Sequence, residues 1–290
     1  MRGGPSGARV SRLLWAFGLF SELLQGCQAF GGCHAAIMGM SMHHEAGDVC
    51  PPAAPVPRAV VFDIDGTLCN SFTLGYSATN TVLKRHGYQE TSTDEYHQGT
   101  RFSTPDRLAR HVGLCPERDG ENFAEMGSKM GKEFDDLYIG LVDTSTAPLF
   151  DGIQELISDC ARVTQVGALS NAAVAYVHKV LDVHSLRASF SVLHGADDVP
   201  APKPSPDGLL ECCKDLQLQD PSTVVYVGDS PSDGLAARAA GMRSVGVTWG
   251  SHSKETLHPA FDTVVDNVQE LRTVLLEKGV RSPRTHAEAA

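Results

Sequence analysis

Ala59-Val60-Val61-Phe62-Asp63-Ile64-Asp65-Gly66-Thr67-Leu68 is the stretch on which the fold turns. Its first four residues are wholly apolar. So short a run predicts a strand buried on both faces, as in a parallel sheet. Two carboxylates then follow at its carboxyl end, where open α/β sheets bind their ligands. Buried acids are costly unless something compensates them. A hard cation such as Mg²⁺ is the natural compensation.

Outward from that strand, apolar segments at 163–169, 189–194, 223–227, 244–248 and 263–265 predict five more strands. Helical patterns lie between them at 153–161 with Asp151 as N-cap, 172–181, 206–216, 231–240 closed by Gly241, and 268–276 stopping before Gly279. Strand and helix alternate, so the fold class is α/β: a Rossmann-like parallel sheet with helices on both faces. Residues 72–150 interrupt the alternation and read as helices only. Thr104 as N-cap with Pro105 behind it starts one helix, and Gly113 ends it. Phe123, Met126, Met130, Phe134, Leu137 and Leu141 form one apolar stripe on another. The expected domains are an α/β core at 58–71 and 151–278 and an inserted all-helical cap at 72–150. An N-terminal extension occupies 1–57, and a disordered tail 279–290.

A chain of 290 residues, 42% apolar and 20% charged, has the make-up of a folded globular protein rather than a disordered, collagenous or coiled-coil one. The formal charge of -11 comes wholly from residues 58–290, because Arg2, Arg9 and Arg12 balance Glu22, Glu45 and Asp48 in the extension. No cluster of Lys and Arg exceeds two residues, which speaks against a nucleic-acid partner. No uncharged apolar run reaches the length of a membrane span. Eight cysteines without a C-x-x-C pair read as scattered reduced thiols. His43 and His44 have no matching ligands nearby and read as non-functional.

Arg2, Arg9 and Arg12 ahead of the apolar 13–24 segment, with Cys27 and Ala29 at -3 and -1 of a cleavage site, have the layout of a signal peptide. The sequence QAF-GG there is similar to pre-sequences of proteins sent to secondary plastids. A disordered extension, or a start at Met38, Met40 or Met42, fits the same residues. The expected location is the cytoplasm by default, or a plastid or other organelle if residues 1–30 are a targeting signal. The Pro51–Pro57 run then reads as a stiff linker.

Three further polar clusters follow apolar strands: Ser170-Asn171 after Leu169, Lys203 between prolines, and Gly228-Asp229-Ser230-Pro231-Ser232-Asp233 after Val227. Singly, each has a plain explanation as a helix N-cap, a solvated loop lysine or a turn. In this order, each at a strand end, they resemble the four motifs of the haloacid dehalogenase-like superfamily. The resemblance covers about residues 59–276, and the inserted helices resemble that family's small cap.

The resemblance implies a reaction. Asp63 is the expected nucleophile, forming an aspartyl-phosphate. Asp65 is the expected general acid and base. Ser170, the Asn171 backbone and Lys203 would hold the phosphate, and Gly66 would let backbone approach it. Mg²⁺ would be held by Asp63, the Asp65 carbonyl and Asp229, with Asp233 supporting through water. Asp65 separates this chain from dehalogenases and from ion-pumping ATPases, so it looks like a phosphatase or phosphomutase.

The 203–207, 227–230 and 236–250 segments are similar to phosphoglycolate phosphatases. That makes 2-phosphoglycolate the first expected substrate among small phosphorylated metabolites. Cys69-Asn70-Ser71 and Leu149-Phe150-Asp151-Gly152 depart from that pattern. A carboxylated substrate calls for a cation from the cap, with Arg101 as first candidate and Lys129 or Lys132 next. A β-phosphoglucomutase-like mutase or a sugar phosphatase shares the motifs. A phosphorelay receiver would lack the helical insert. A catalytically silent regulatory member would normally lose Asp63, Asp65 or Lys203, and all three are present. The residues set no oligomeric state.

Overall fold

The computed structural model describes residues 56–278. The readings for residues 1–55 and 279–290, targeting signal and tail included, lie outside the described residues. Six strands are present: β1 (Ala59–Phe62), β2 (Gln165–Leu169), β3 (Val192–His194), β4 (Val224–Gly228), β5 (Arg243–Val247) and β6 (Thr263–Val265). They form one parallel sheet in the order β3-β2-β1-β4-β5-β6. This is the Rossmann-like α/β fold expected from the alternation of elements.

The order places β1 at the centre, where the winding of the sheet reverses. Phe62 stands opposite Ala168 of β2 and Val227 of β4. The three strands therefore finish at the same level, at the carboxyl end of the sheet, and Asp63, Ser170 and Asp229 emerge side by side. Such a switch point is where open α/β sheets form a binding crevice.

Side chains of β1 alternate between two cores. Val60 and Phe62 pack with α5 (Ile153–Val163), α6 (Val174–Val183) and α10 (Val268–Thr273). Ala59 and Val61 pack on the other face with α7 (Asp207–Asp215) and α8 (Pro231–Ala239). All four β1 residues are fully buried, which accounts for the unbroken apolar run. A short α9 (Lys254–Leu257) precedes β6.

Between β1 and β2 the chain makes α1 (Phe72–Arg85), α2 (Thr93–Gly99), α3 (Thr104–His111) and α4 (Pro116–Leu141). Met130 and Phe134 of the expected stripe are buried against α1 and α3. Leu141 departs from it and is 44% exposed, because it ends the helix. The helical path also breaks at Gly120, at φ 42°, so the stripe begins after a kink. Gly127 lets α3 approach closely: a Cβ there would lie 2.7 Å from the Pro105 carbonyl oxygen.

Several boundaries differ from the sequence reading. Gly152, at φ 82°, takes the N-cap place of α5 expected for Asp151. Ser103 rather than Thr104 precedes α3. β3 starts at Val192 because Arg187–Ser189 forms a 3-10 turn. β2 starts at Gln165 because α5 runs on to Val163. Cys69, Cys115, Cys160, Cys212 and Cys213 are free thiols, as expected. Among the described residues no helix is long and apolar enough to cross a membrane.

Candidate active site

Asp63 follows β1 directly, and its amide donates to the Val227 carbonyl at 2.9 Å, which fixes the start of the loop. Its carboxylate accepts an ion-pair hydrogen bond from Lys203 Nζ at 2.9 Å. Lys203 Nζ also donates to Asp233 Oδ1 at 2.7 Å, to the Tyr226 hydroxyl at 2.8 Å and to the Leu169 carbonyl at 3.3 Å. The ammonium is thus buried and fully occupied. Burial alone would lower its pKa, but Asp233 and Asp63 outweigh that and raise it.

Asp233 does more than the sequence suggested. Its Oδ1 accepts from Lys203 and from Tyr226 at 3.2 Å, and its Oδ2 accepts the Ser230 amide at 3.0 Å. It therefore caps α8 and anchors the lysine at once. Tyr226 lies on a buried strand, and its hydroxyl ties that lysine to β4. Sequence reading passed over it as one more apolar strand residue. A phenol in a run otherwise of valine and glycine was the available signal, since a buried hydroxyl needs a partner.

Asp65 is held by a ring of hydroxyls. Ser71 Oγ, Tyr138 OH at 3.2 Å and Tyr176 OH at 2.5 Å all donate to its Oδ1. Ser170 Oγ stands 3.5 Å from its Oδ2. Tyr138 comes from α4 and Tyr176 from α6, and their rings stack at 4.4 Å. Both the helical insert and the sheet layer therefore fix the second aspartate. Neither tyrosine was foreseen, because each sits in an ordinary apolar helix pattern.

Asn171 clamps the lysine loop with its side chain. Its Nδ2 donates to the Lys203 carbonyl at 3.0 Å, and its Oδ1 accepts the Lys203 amide at 2.9 Å. Gly66 is at φ 73°, and a Cβ there would overlap the Asp229 carboxylate. Its missing side chain thus makes room for Asp229. Asp229 Oδ2 accepts the Ser251 amide at 2.7 Å. The Ser251 carbonyl in turn accepts from His97 Nε2 of α2 at 2.6 Å, so this nitrogen carries the ring proton. Asp229 is linked in this way to the helical insert.

Asp63, Asp229 and Asp233 offer carboxylate oxygens within 4.8 Å of one another, all buried. Three acids face a single ammonium. Burial and the neighbouring acids push Asp63 well above the usual carboxylate range, although Lys203 opposes this. Burial, then Asp233, pushes Asp229 up to about 7. The cluster lacks positive charge, and an all-oxygen donor set suits a hard divalent cation. The Asp65 side chain is not in this cluster.

The cluster faces a cavity of about 280 Å³. Asp63, Lys203 and Ser170 lie on its sheet side, and Tyr96, Arg107 and Phe134 on its helical side. Arg101, expected to reach this space, does not line it. It is exposed and stacks on Phe102, with its Cζ 4.8 Å from the ring centre. Lys129 and Lys132 are also exposed, and Lys132 pairs with Asp136. The cation on the helical wall is Arg107, which the sequence reading missed.

The haloacid dehalogenase-like hydrolase family model matches residues 60–247. The chain belongs to that family. Phosphoglycolate phosphatase 1 of Pseudomonas aeruginosa is 29% identical over 229 residues, covering 76% of this chain and 80% of that protein. N-acetylmuramic acid 6-phosphate phosphatase of Pseudomonas putida is 28% identical over 227 residues, covering 75% and 96%. The solved structure of CbbY from Rhodobacter sphaeroides, in complex with phosphate, superposes with a TM-score of 0.63 at 22% identity. It covers 74% of this hydrolase and 96% of that chain, and supports the fold. The family resemblance read from the motifs is borne out.

Proposed function

We propose that this phosphoric monoester hydrolase is a Mg²⁺-dependent phosphatase acting on a small phosphate monoester, with 2-phosphoglycolate first in line. The observation that carries the reading is the placement of Asp63. Its carboxylate is at the switch point of the sheet, 2.9 Å from Lys203 Nζ, and opens onto a cavity the size of a small metabolite. The likeness to phosphatases of phosphoglycolate and of a sugar phosphate supports the class and favours the two-carbon acid.

In this reading Asp63 supplies the carboxylate oxygen that attacks phosphorus, giving an aspartyl-phosphate and releasing the alcohol. Lys203 faces both the nucleophile and the incoming phosphoryl oxygens. Its hydrogen bonds to Asp233, Tyr226 and Leu169 hold it there without rearrangement. Asp65 protonates the leaving oxygen and then takes a proton from the water that opens the phosphoenzyme. Ser170 Oγ and the amides after it bind phosphoryl oxygens. Asp63, Asp229 and the Asp65 carbonyl would hold Mg²⁺, with Asp233 behind them. When bound, the cation supplies charge that offsets repulsion between carboxylate and phosphate. Residues 72–150 act as a cap over the core at 58–71 and 151–278.

The test is a phosphate-release screen over 2-phosphoglycolate, sugar phosphates, nucleotides and pyrophosphate, with Mg²⁺ and with EDTA. The expected result is Mg²⁺-dependent turnover, highest on 2-phosphoglycolate. Turnover unaffected by EDTA, or none on any monoester, would overturn the reading.

A further inference from the structure

Among the described residues Arg107 is a buried cation without an ion-pair partner. It lies on α3 and is 5% exposed. Among the described residues its guanidinium makes one hydrogen bond, from Nη1 to Thr79 Oγ1 at 2.6 Å, and no ion pair. Two rings flank its guanidinium: the Cζ lies 5.1 Å from the centre of Tyr96 and 4.7 Å from that of Phe134. All three residues line the cavity over Asp63. A guanidinium carries five donors in one plane. Here the rings take its faces and Thr79 takes one donor, so the rest of the fork is left for the cavity.

Among the described residues, none of the titratable groups that feel its charge forms an ion pair with it. His111 is pushed down to about 4, first by burial and then by Arg107, and stays uncharged at neutral pH. Asp135 feels Arg107 but does not bond it; burial and Asp197 push that carboxyl up to about 7. An unpaired buried charge is destabilising, so a site that keeps one facing a cavity is built to receive its partner from outside.

We infer that Arg107 is the specificity-determining residue of this site: its guanidinium fork binds a carboxylate at the end of the substrate remote from the phosphate. This deepens the proposed phosphatase reading and rests on it. A small organic body would lie along Tyr96 and Phe134, with its phosphoryl end at Asp63 and its anionic end at Arg107. The fork matches a planar carboxylate in bidentate fashion, which a lysine cannot do.

The experiment compares kcat/KM of the full chain, with Mg²⁺, on 2-phosphoglycolate, ethyl phosphate and ethylene glycol bisphosphate. The wild type should favour 2-phosphoglycolate over ethyl phosphate by about 10- to 100-fold, the scale of a hydrogen bond to a charged group. In Arg107→Met that ratio should fall toward one, mainly through KM. Arg107→Lys should recover only part of it. The bisphosphate distinguishes a carboxylate site from one for any second anion, and should be poorer than 2-phosphoglycolate. An unchanged ratio in a folded Arg107→Met, or a bisphosphate preferred to 2-phosphoglycolate, would overturn the inference. If Arg107→Met does not fold, the wild-type series decides: no preference for the carboxylate tail sinks the assignment. Wild type that hydrolyses ethyl phosphate without that preference leaves the phosphatase reading standing. Wild type inert on all three esters would count against both.

Discussion

At the scale of single residues, the two aspartates after β1 have different surroundings and should fail differently. Among the described residues the Asp65 carboxylate bonds to hydroxyls: those of Ser71, Tyr138, Tyr176 and, at 3.5 Å, Ser170. Asp65→Asn keeps the backbone carbonyl and loses proton transfer, so kcat on an alkyl phosphate should drop about 10²–10⁴-fold. On p-nitrophenyl phosphate, whose leaving group needs little protonation, the phosphorylation burst should suffer far less. Equal burst defects on both esters would show that Asp65 is not the acid. Tyr226→Phe removes the hydroxyl that accepts from Lys203 and donates to Asp233. It should cost about 1–3 kcal/mol of stability in chemical denaturation. A change within error would show that the network adjusts without it. Asp63 and Asp229 were legible because charged residues directly after buried strands demand partners, and Lys203 and Asp233 because they complete the order of the motifs. Tyr226 and Arg107 were not, since strand phenols and helix arginines usually have routine roles.

Among elements, sequence located the sheet better than its edges. The apolar run of β1 admits one reading because both of its faces are covered. The ends of β2 and β3 move by two or three residues because α5 and the Arg187–Ser189 turn extend into them. The helical insert was legible as helices, but not the wall it presents. Arg101 follows Gly99-Thr100 at the end of α2, where a loop cation could reach inward. Arg107 sits mid-helix among charged neighbours and is buried because Thr79 of α1, Tyr96 of α2 and Phe134 of α4 close around it. Gly127 sets that packing. Gly127→Ala would press a methyl against the Pro105 backbone, so α3 must shift. The expected cost is about 1–3 kcal/mol, measured by chemical denaturation, with a raised KM because α3 carries Arg107. An unchanged KM despite lost stability would separate the packing from the site.

Across the whole molecule, the acids at the sheet switch point couple stability to pH and metal. The pKa values of Asp63 and Asp229 are raised, the latter to about 7. From the ordinary carboxylate range up to about pH 7 these two acids therefore hold more protons in the folded chain than in the unfolded one. Their contribution to metal-free stability falls as pH rises through that window. A divalent cation needs the ionised acids. Mg²⁺ should thus raise Tm little at about pH 5 and by about 3 °C or more at about pH 8, and EDTA should abolish the gain. Equal shifts at both pH values would contradict this linkage. In the proposed reaction the phosphoryl group passes through Asp63. The most direct measurement is acid-quenched turnover of radiolabelled 2-phosphoglycolate with Mg²⁺, followed by peptide mapping. Label is expected on the peptide containing Asp63 in the wild type, and neither label nor turnover in Asp63→Asn. Label on another residue, or turnover by Asp63→Asn, would contradict it.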